Sequence, residues 1–182
     1  YHDIEIMLFE SASFDKYVQI HAKKEFAERA NSIRSFIYEK ACFIGAIRML
    51  SVDRHIYLWF NGLDYKKYFN WRSADADEKA FIDYIAGRTR SVKGTPVNIL
   101  NEELLNQTQA LSRCDYDCKL LCNGHDIIGI LALCMHQRYA SIDFKYLSVD
   151  EIFKDLLMGF TKECFEKTSL FQSISNWLES AS

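Results

Sequence analysis

The stretch Ile127-Ile128-Gly129-Ile130-Leu131-Ala132-Leu133-Cys134-Met135 decides how this chain folds. It is apolar at every position, so no amphipathic stripe runs through it. A helix of that pattern is buried on all sides, inside a domain rather than on its surface. The run is far shorter than the roughly 20 apolar residues of a membrane-spanning helix. Just before it stand Gly124, His125 and Asp126, which put polar groups at the expected helix start; His136, Gln137 and Arg138 follow it.

The rest of the chain can supply the walls such a helix needs. Its 182 residues suit one domain with a sizeable core, and 49% hydrophobic residues, 14% of the total aromatic, exclude disorder. A single proline, Pro96, and seven glycines favour long regular elements, mostly helices. A net charge of −3 and a pI near 6.0 exclude a generally basic, nucleic-acid-coating surface, so any phosphate contact must use a local patch. The six cysteines occur with no signal peptide or transmembrane run, which predicts reduced thiols, a cytoplasmic setting and no membrane partner.

Upstream, Tyr1 to Phe9 is either a strand leaving a sheet or a short helix capped by Asp3. Ser11 or Ser13 offers an N-cap for a helix through Val18 to about Ala22. A longer helix is expected from about Ala27 to Leu50, apolar on two faces, with Gly45 marking close approach by another helix. His55 to Phe60 is the best strand candidate, and Asn61-Gly62 a hairpin turn that would return it through Leu63 to Phe69. Asp75 to Ile85 reads as a helix with an acidic start, and Gly87 to Pro96 as a basic loop. Asn98 or Asn101 opens a polar helix to about Ser112. Downstream, Ser148 to Glu151 and Ser169 to Gln172 have the capping-box pattern. The fold class predicted is mainly α with a small β element (α+β), a single helix-rich domain over residues 1–182.

Four groupings carry candidate chemistry. Cys114, Cys118 and Cys122 would line one face of a helix, and Zn²⁺ could take Cys118, Cys122 and His125 as ligands, but no second ligand pair is visible, and buried free cysteines explain them better. Asp126 suits a helix-capping role, while His125 at a helix N-terminus is placed for a phosphate or other anion. His2, Asp3 and Glu5 lie within four residues; in a strand the two carboxylates share a face and suit Mg²⁺ or Mn²⁺, although a solvated strand end or a helix cap explains them better. Arg88, Arg90 and Lys93 form the one concentrated positive patch, a candidate contact for nucleic-acid phosphates. There is no P-loop, nucleophile elbow, dinucleotide fingerprint or zincin motif, so those activities have no support.

Three patches taken together resemble a known family. They are His2-Asp3-Ile4-Glu5 with Met7-Leu8, Ile44-Gly45-Ala46-Ile47-Arg48, and Gly124-His125-Asp126 running on to Ala132, with an ending from Thr168 through Ile174 and Trp177 that also fits. In this order they are similar to the C-terminal two-thirds of TOPRIM-like, OLD-related anti-phage defence nucleases, the group that includes the effectors of PARIS systems. The resemblance implies a metal-dependent nuclease whose acidic motifs lie before Tyr1, residues 1–10 being the tail of a TOPRIM-like α/β domain. It implies Mg²⁺ or Mn²⁺ as cofactor, with Glu5 and Asp3 as metal ligands or their neighbours, and His125 and Asp126 as catalytic residues facing the same cleft. It also implies an ABC-type ATPase partner that restrains the effector, and tRNA as the nucleic acid attacked. A different class of function stands beside it: a non-catalytic helical module for docking or homodimer formation, through Tyr68, Phe69 or Trp71 if exposed.

Overall fold

The computed structural model describes residues 3–70, 75–94, 97, 99–113, 117–141 and 147–180, and these are mainly α-helical. In chain order the helices are α1 (Ile4–Glu10), α2 (Ala12–His21), α3 (Ala30–Asp53), α4 (Glu78–Lys93), α5 (Asn101–Ser112), α6 (Cys118–Leu121), α7 (Gly124–Cys134), α8 (Val149–Gly159), α9 (Lys162–Glu166) and α10 (Ser169–Ser180). A 3-10 turn covers Tyr65–Lys67, and a π-helical turn, Met135–Tyr139, ends α7. The β element is a pair of two-residue strands, β1 (Phe69–Asn70) and β2 (Asp75–Ala76), antiparallel with Phe69 opposite Ala76.

α7 occupies the middle, buried at every position from Asp126 to Cys134, as its unbroken apolar pattern requires. α3 lies against it and is itself covered on two faces: Ile33, Ile37, Ala41, Ile44 and Ile47 on one, Phe43, Ala46 and Leu50 on the other. The close approach expected at Gly45 is real. A Cβ there would sit 2.1 Å from the Leu121 carbonyl oxygen, so the end of α6 rests on the bare backbone of α3. Ile6, Leu8 and Phe9 of α1, Phe14, Tyr17 and Val18 of α2, and Ile152 and Leu156 of α8 belong to the same core, as do Phe81, Ile82 and Ile85 of α4 and Leu104 of α5. Among the described residues no helix is long and apolar enough to cross a membrane.

Several local expectations are corrected. Residues 4–10 are helical, so the strand alternative for the N-terminus falls, and with it the shared strand face of Asp3 and Glu5. His55 to Phe60 is not a strand. His55 and Tyr57 take positive φ values of 54° and 53°, which no strand accommodates. The segment's N–H groups are satisfied by helices instead: the Ser51 carbonyl accepts from Ile56 and Tyr57, the Ser51 hydroxyl from Leu58 and the Thr89 hydroxyl from Trp59. Gly87 to Lys93 is not a loop but the second half of α4, held helical because Ile85, Ala86 and Thr89 extend the buried stripe begun by Phe81 and Ile82. The capping box at Ser148 forms in both directions. At α10, however, it is the Thr168 hydroxyl that accepts the Phe171 N–H, one residue before the expected cap.

Candidate functional site

The first turn of α7 is where distant parts of the chain meet. Asn123 caps it, its side-chain oxygen accepting the His125 N–H at 3.1 Å. The Asp3 carboxylate accepts the Gly124 N–H at 2.8 Å, so Asp3 caps α7 and makes no side-chain cap for its own helix. Gly124 is required for this contact, because a Cβ there would come within 2.6 Å of Glu5 Cβ. Two of the N–H groups that an anion would seek at this terminus are therefore already bonded to protein.

Asp126 sits one residue further in, fully buried, and it does not cap the helix. Arg48 of α3 reaches it with a two-pronged ion pair, Nε to Oδ2 at 2.6 Å and Nη2 to Oδ1 at 2.7 Å. The Tyr65 hydroxyl donates a third bond to Oδ1 at 2.8 Å. Burial first, then the Asp126 charge and this hydrogen bond, push the Tyr65 phenol well above its ordinary range, so it stays a donor. Gly129 makes room for that ring, since a Cβ there would lie 2.2 Å from Tyr65 Cε2. The Arg48 guanidinium stacks over Phe60, 4.3 Å from the ring centroid, and its side chain keeps 28% of its surface in solvent.

That exposed edge of Arg48 opens into a cleft of about 680 Å³, lined also by Phe60, Tyr65, Lys66, Asn123 and His125. His125 is exposed at its rim. One wall is the loop from Phe60 to Lys66, and α4 holds that loop and the segment before it: Arg88 donates to the Asn61 carbonyl, the Tyr84 hydroxyl accepts the Asp64 N–H, and Lys93 donates to the Tyr57 carbonyl at 2.5 Å. Arg88 and Lys93 are thus occupied in fixing a loop, and Arg90 alone of the three is exposed with no such bond.

The sequence-predicted residues divide accordingly. Asp3, Glu5, His125 and Asp126 are brought together at one helix end; Arg88, Arg90 and Lys93 lie on a helix elsewhere. His2, Cys114 and the side chain of Cys118 fall outside the described residues. Cys122 is buried and free, its sulfur toward the Tyr38 carbonyl, and among the described residues no three ligating side chains cluster for a metal. Asp3 and Glu5 offer the oxygen chemistry of a hard cation, and one or two carboxylates completed by water is a set Mg²⁺ accepts. With one Asp3 oxygen committed to Gly124, the pair amounts to part of a coordination shell. Of the expected interface residues, Tyr68 is buried, stacked on Phe43 at 5.4 Å, while Trp71 and the side chain of Phe69 lie outside the described residues.

Sequence reasoning missed Arg48 and Tyr65 as site residues. Arg48 had a signal: it continues the Ile37, Ala41, Ile44 stripe with a cation, and a cation on a buried face needs an anion. Asp126, at the head of an all-apolar helix, was the matching half. Tyr65 had none. No family model, curated protein or solved structure matches this chain.

Proposed function

We propose that this chain is the helical part of a metal-dependent nuclease effector of the TOPRIM-like, OLD-related kind, acting in anti-phage defence. In this reading the cleft takes a phosphate of the nucleic acid. Arg48 presents its solvent-facing N–H groups to it, Lys66 adds charge, and His125 at the rim positions the strand. Asp126 touches no substrate; it is a positioning residue that fixes the Arg48 fork. Asp3 and Glu5 contribute carboxylates toward Mg²⁺ or Mn²⁺, which when bound would supply Lewis-acid chemistry at a phosphodiester. A tRNA substrate and a restraining ABC-type ATPase partner belong to the same proposal.

One observation carries it. The three stretches on which the resemblance rests are separated by some forty to eighty residues, yet the fold joins them at one spot: Asp3 and Glu5 on Gly124, Arg48 on Asp126. The test uses the protein as its gene encodes it. Glu5→Gln should lower Mg²⁺-dependent cleavage of tRNA at least about tenfold with an unchanged melting temperature. Lys66→Glu should weaken RNA binding and flatten its salt dependence. Wild-type cleavage and binding in both variants would retire the reading. The interaction-module alternative is favoured by a different observation, the uncovered face of α10.

A further inference from the structure

We infer that α10 is the helix through which two copies of this chain pair, antiparallel, about a two-fold axis at Ile174. No residue of α10 is buried, and Leu170, Ile174, Trp177 and Leu178 are between 42% and 67% exposed. Its packing on the rest of the chain centres on α9, where Phe171 meets Phe165 edge to face at 5.4 Å. A helix of 12 residues is marginal in water without a packed face, so this stripe calls for a cover.

Three features select a second copy as that cover. The stripe is symmetric: counting three and four residues either way from Ile174 reaches Phe171 and Leu170 on one side, Trp177 and Leu178 on the other. Reversing the helix reproduces the pattern. An antiparallel mate therefore sets Leu170 against Leu178, Phe171 against Trp177 and Ile174 against itself, the self-complementarity that a two-fold contact demands. The area is also adequate. The four exposed side chains offer roughly 450 Å² of apolar surface in each copy, so pairing would cover on the order of 900 Å² in all, the size of a weak, reversible dimer. Finally, charge argues against the competitors. The polar side of the helix is Gln172, Ser173, Ser175 and Asn176, and no charged residue occurs from Ser169 to Leu178. Nucleic acid or an anionic membrane would be met by Lys and Arg there.

The inference does not depend on the nuclease reading, and its readout is mass rather than activity. Sedimentation velocity from about 1 to 100 μM should find a dimer. Ile174→Glu, at the axis, should raise the dissociation constant at least about 100-fold with the helical circular-dichroism spectrum retained. Trp177→Ser serves the same purpose should that variant fold poorly. Orientation is read by cross-linking against the parent protein: Ile174→Cys should link to its own copy on oxidation. Leu170→Cys and Leu178→Cys should link only when mixed. A monomer throughout, or a dimer indifferent to both substitutions, would overturn the inference. So would self-linking of Leu170→Cys, or binding to phosphatidylcholine vesicles by a chain that stays monomeric, which would assign the face to lipid.

Discussion

α7 and α10 are close in length, 11 and 12 residues, and both are rich in large apolar side chains, yet ten residues of one are buried and none of the other. The number of large apolar side chains, five in each, does not separate them; what surrounds those side chains on the helix does. α7 is apolar all round and must be surrounded, whereas α10 confines its apolar residues to one stripe backed by Ser, Gln and Asn. The difference sets what each helix can carry. A charge inside α7 survives only because Arg48 and Tyr65 reach in to meet it, and that need ties α3, the 3-10 turn and α7 into one unit. α10 makes no such demand and is free to present a surface.

The strongest way to break the contrast is at the charge inside α7. Arg48→Met leaves Asp126, with no exposed side-chain surface, holding a carboxylate against Tyr65 alone. Losing one partner of a buried pair costs about 3–5 kcal/mol, which should appear as a lower urea midpoint with an unchanged slope. Adding Asp126→Leu should recover most of that loss, because removing both charges is often nearly neutral. A cost below about 1 kcal/mol for the single variant would mean water reaches Asp126 and the buried-charge account is wrong. Next in size is Gly45→Ala. Its new methyl meets a backbone carbonyl of the α6 terminus, which cannot swing aside as a side chain would, so the loss should reach about 3 kcal/mol, the upper end for overpacking. Thermal unfolding reads it directly, and a neutral result would show that α6 can lift off α3.

How much of this was legible beforehand follows the same line. The burial of α7, the two-faced α3 and the contact at Gly45 were open to sequence reasoning because helical periodicity records which faces are covered. The aromatic run from His55 to Phe60 misled it. Those residues have strand preferences, but two hydroxyls, Ser51 and Thr89, satisfy their backbone from helices seven and thirty residues away, and no local pattern announces that. The basic stretch after Gly87 misled it in the opposite sense, since glycine and charge suggested a loop where a buried stripe through Thr89 keeps the helix going. At the site, the Asp126 carboxylate was visible as a cap or catalytic group, and Arg48 only as the end of a family-like patch. That they were partners was not, because pairing across 78 residues is a property of the fold.

The smallest expected effect sharpens the comparison from the other end. Trp177 is the largest side chain on α10 and is 67% exposed, so in a single copy it has little burial to lose. Trp177→Ser should change unfolding stability by no more than about 0.5 kcal/mol when measured well below the concentration at which copies pair. A truncation such as Leu131→Ala in α7, fully buried, should cost about 2–5 kcal/mol under the same conditions. The two measurements diverge again at high concentration: mass action adds stability to any state that pairs, so the Trp177 variant should then fall behind the parent while the gap for Leu131→Ala stays fixed. A loss above about 1 kcal/mol for Trp177→Ser in dilute solution would mean that the tryptophan is held within its own copy, and α10 would be a second packed helix rather than a presented one.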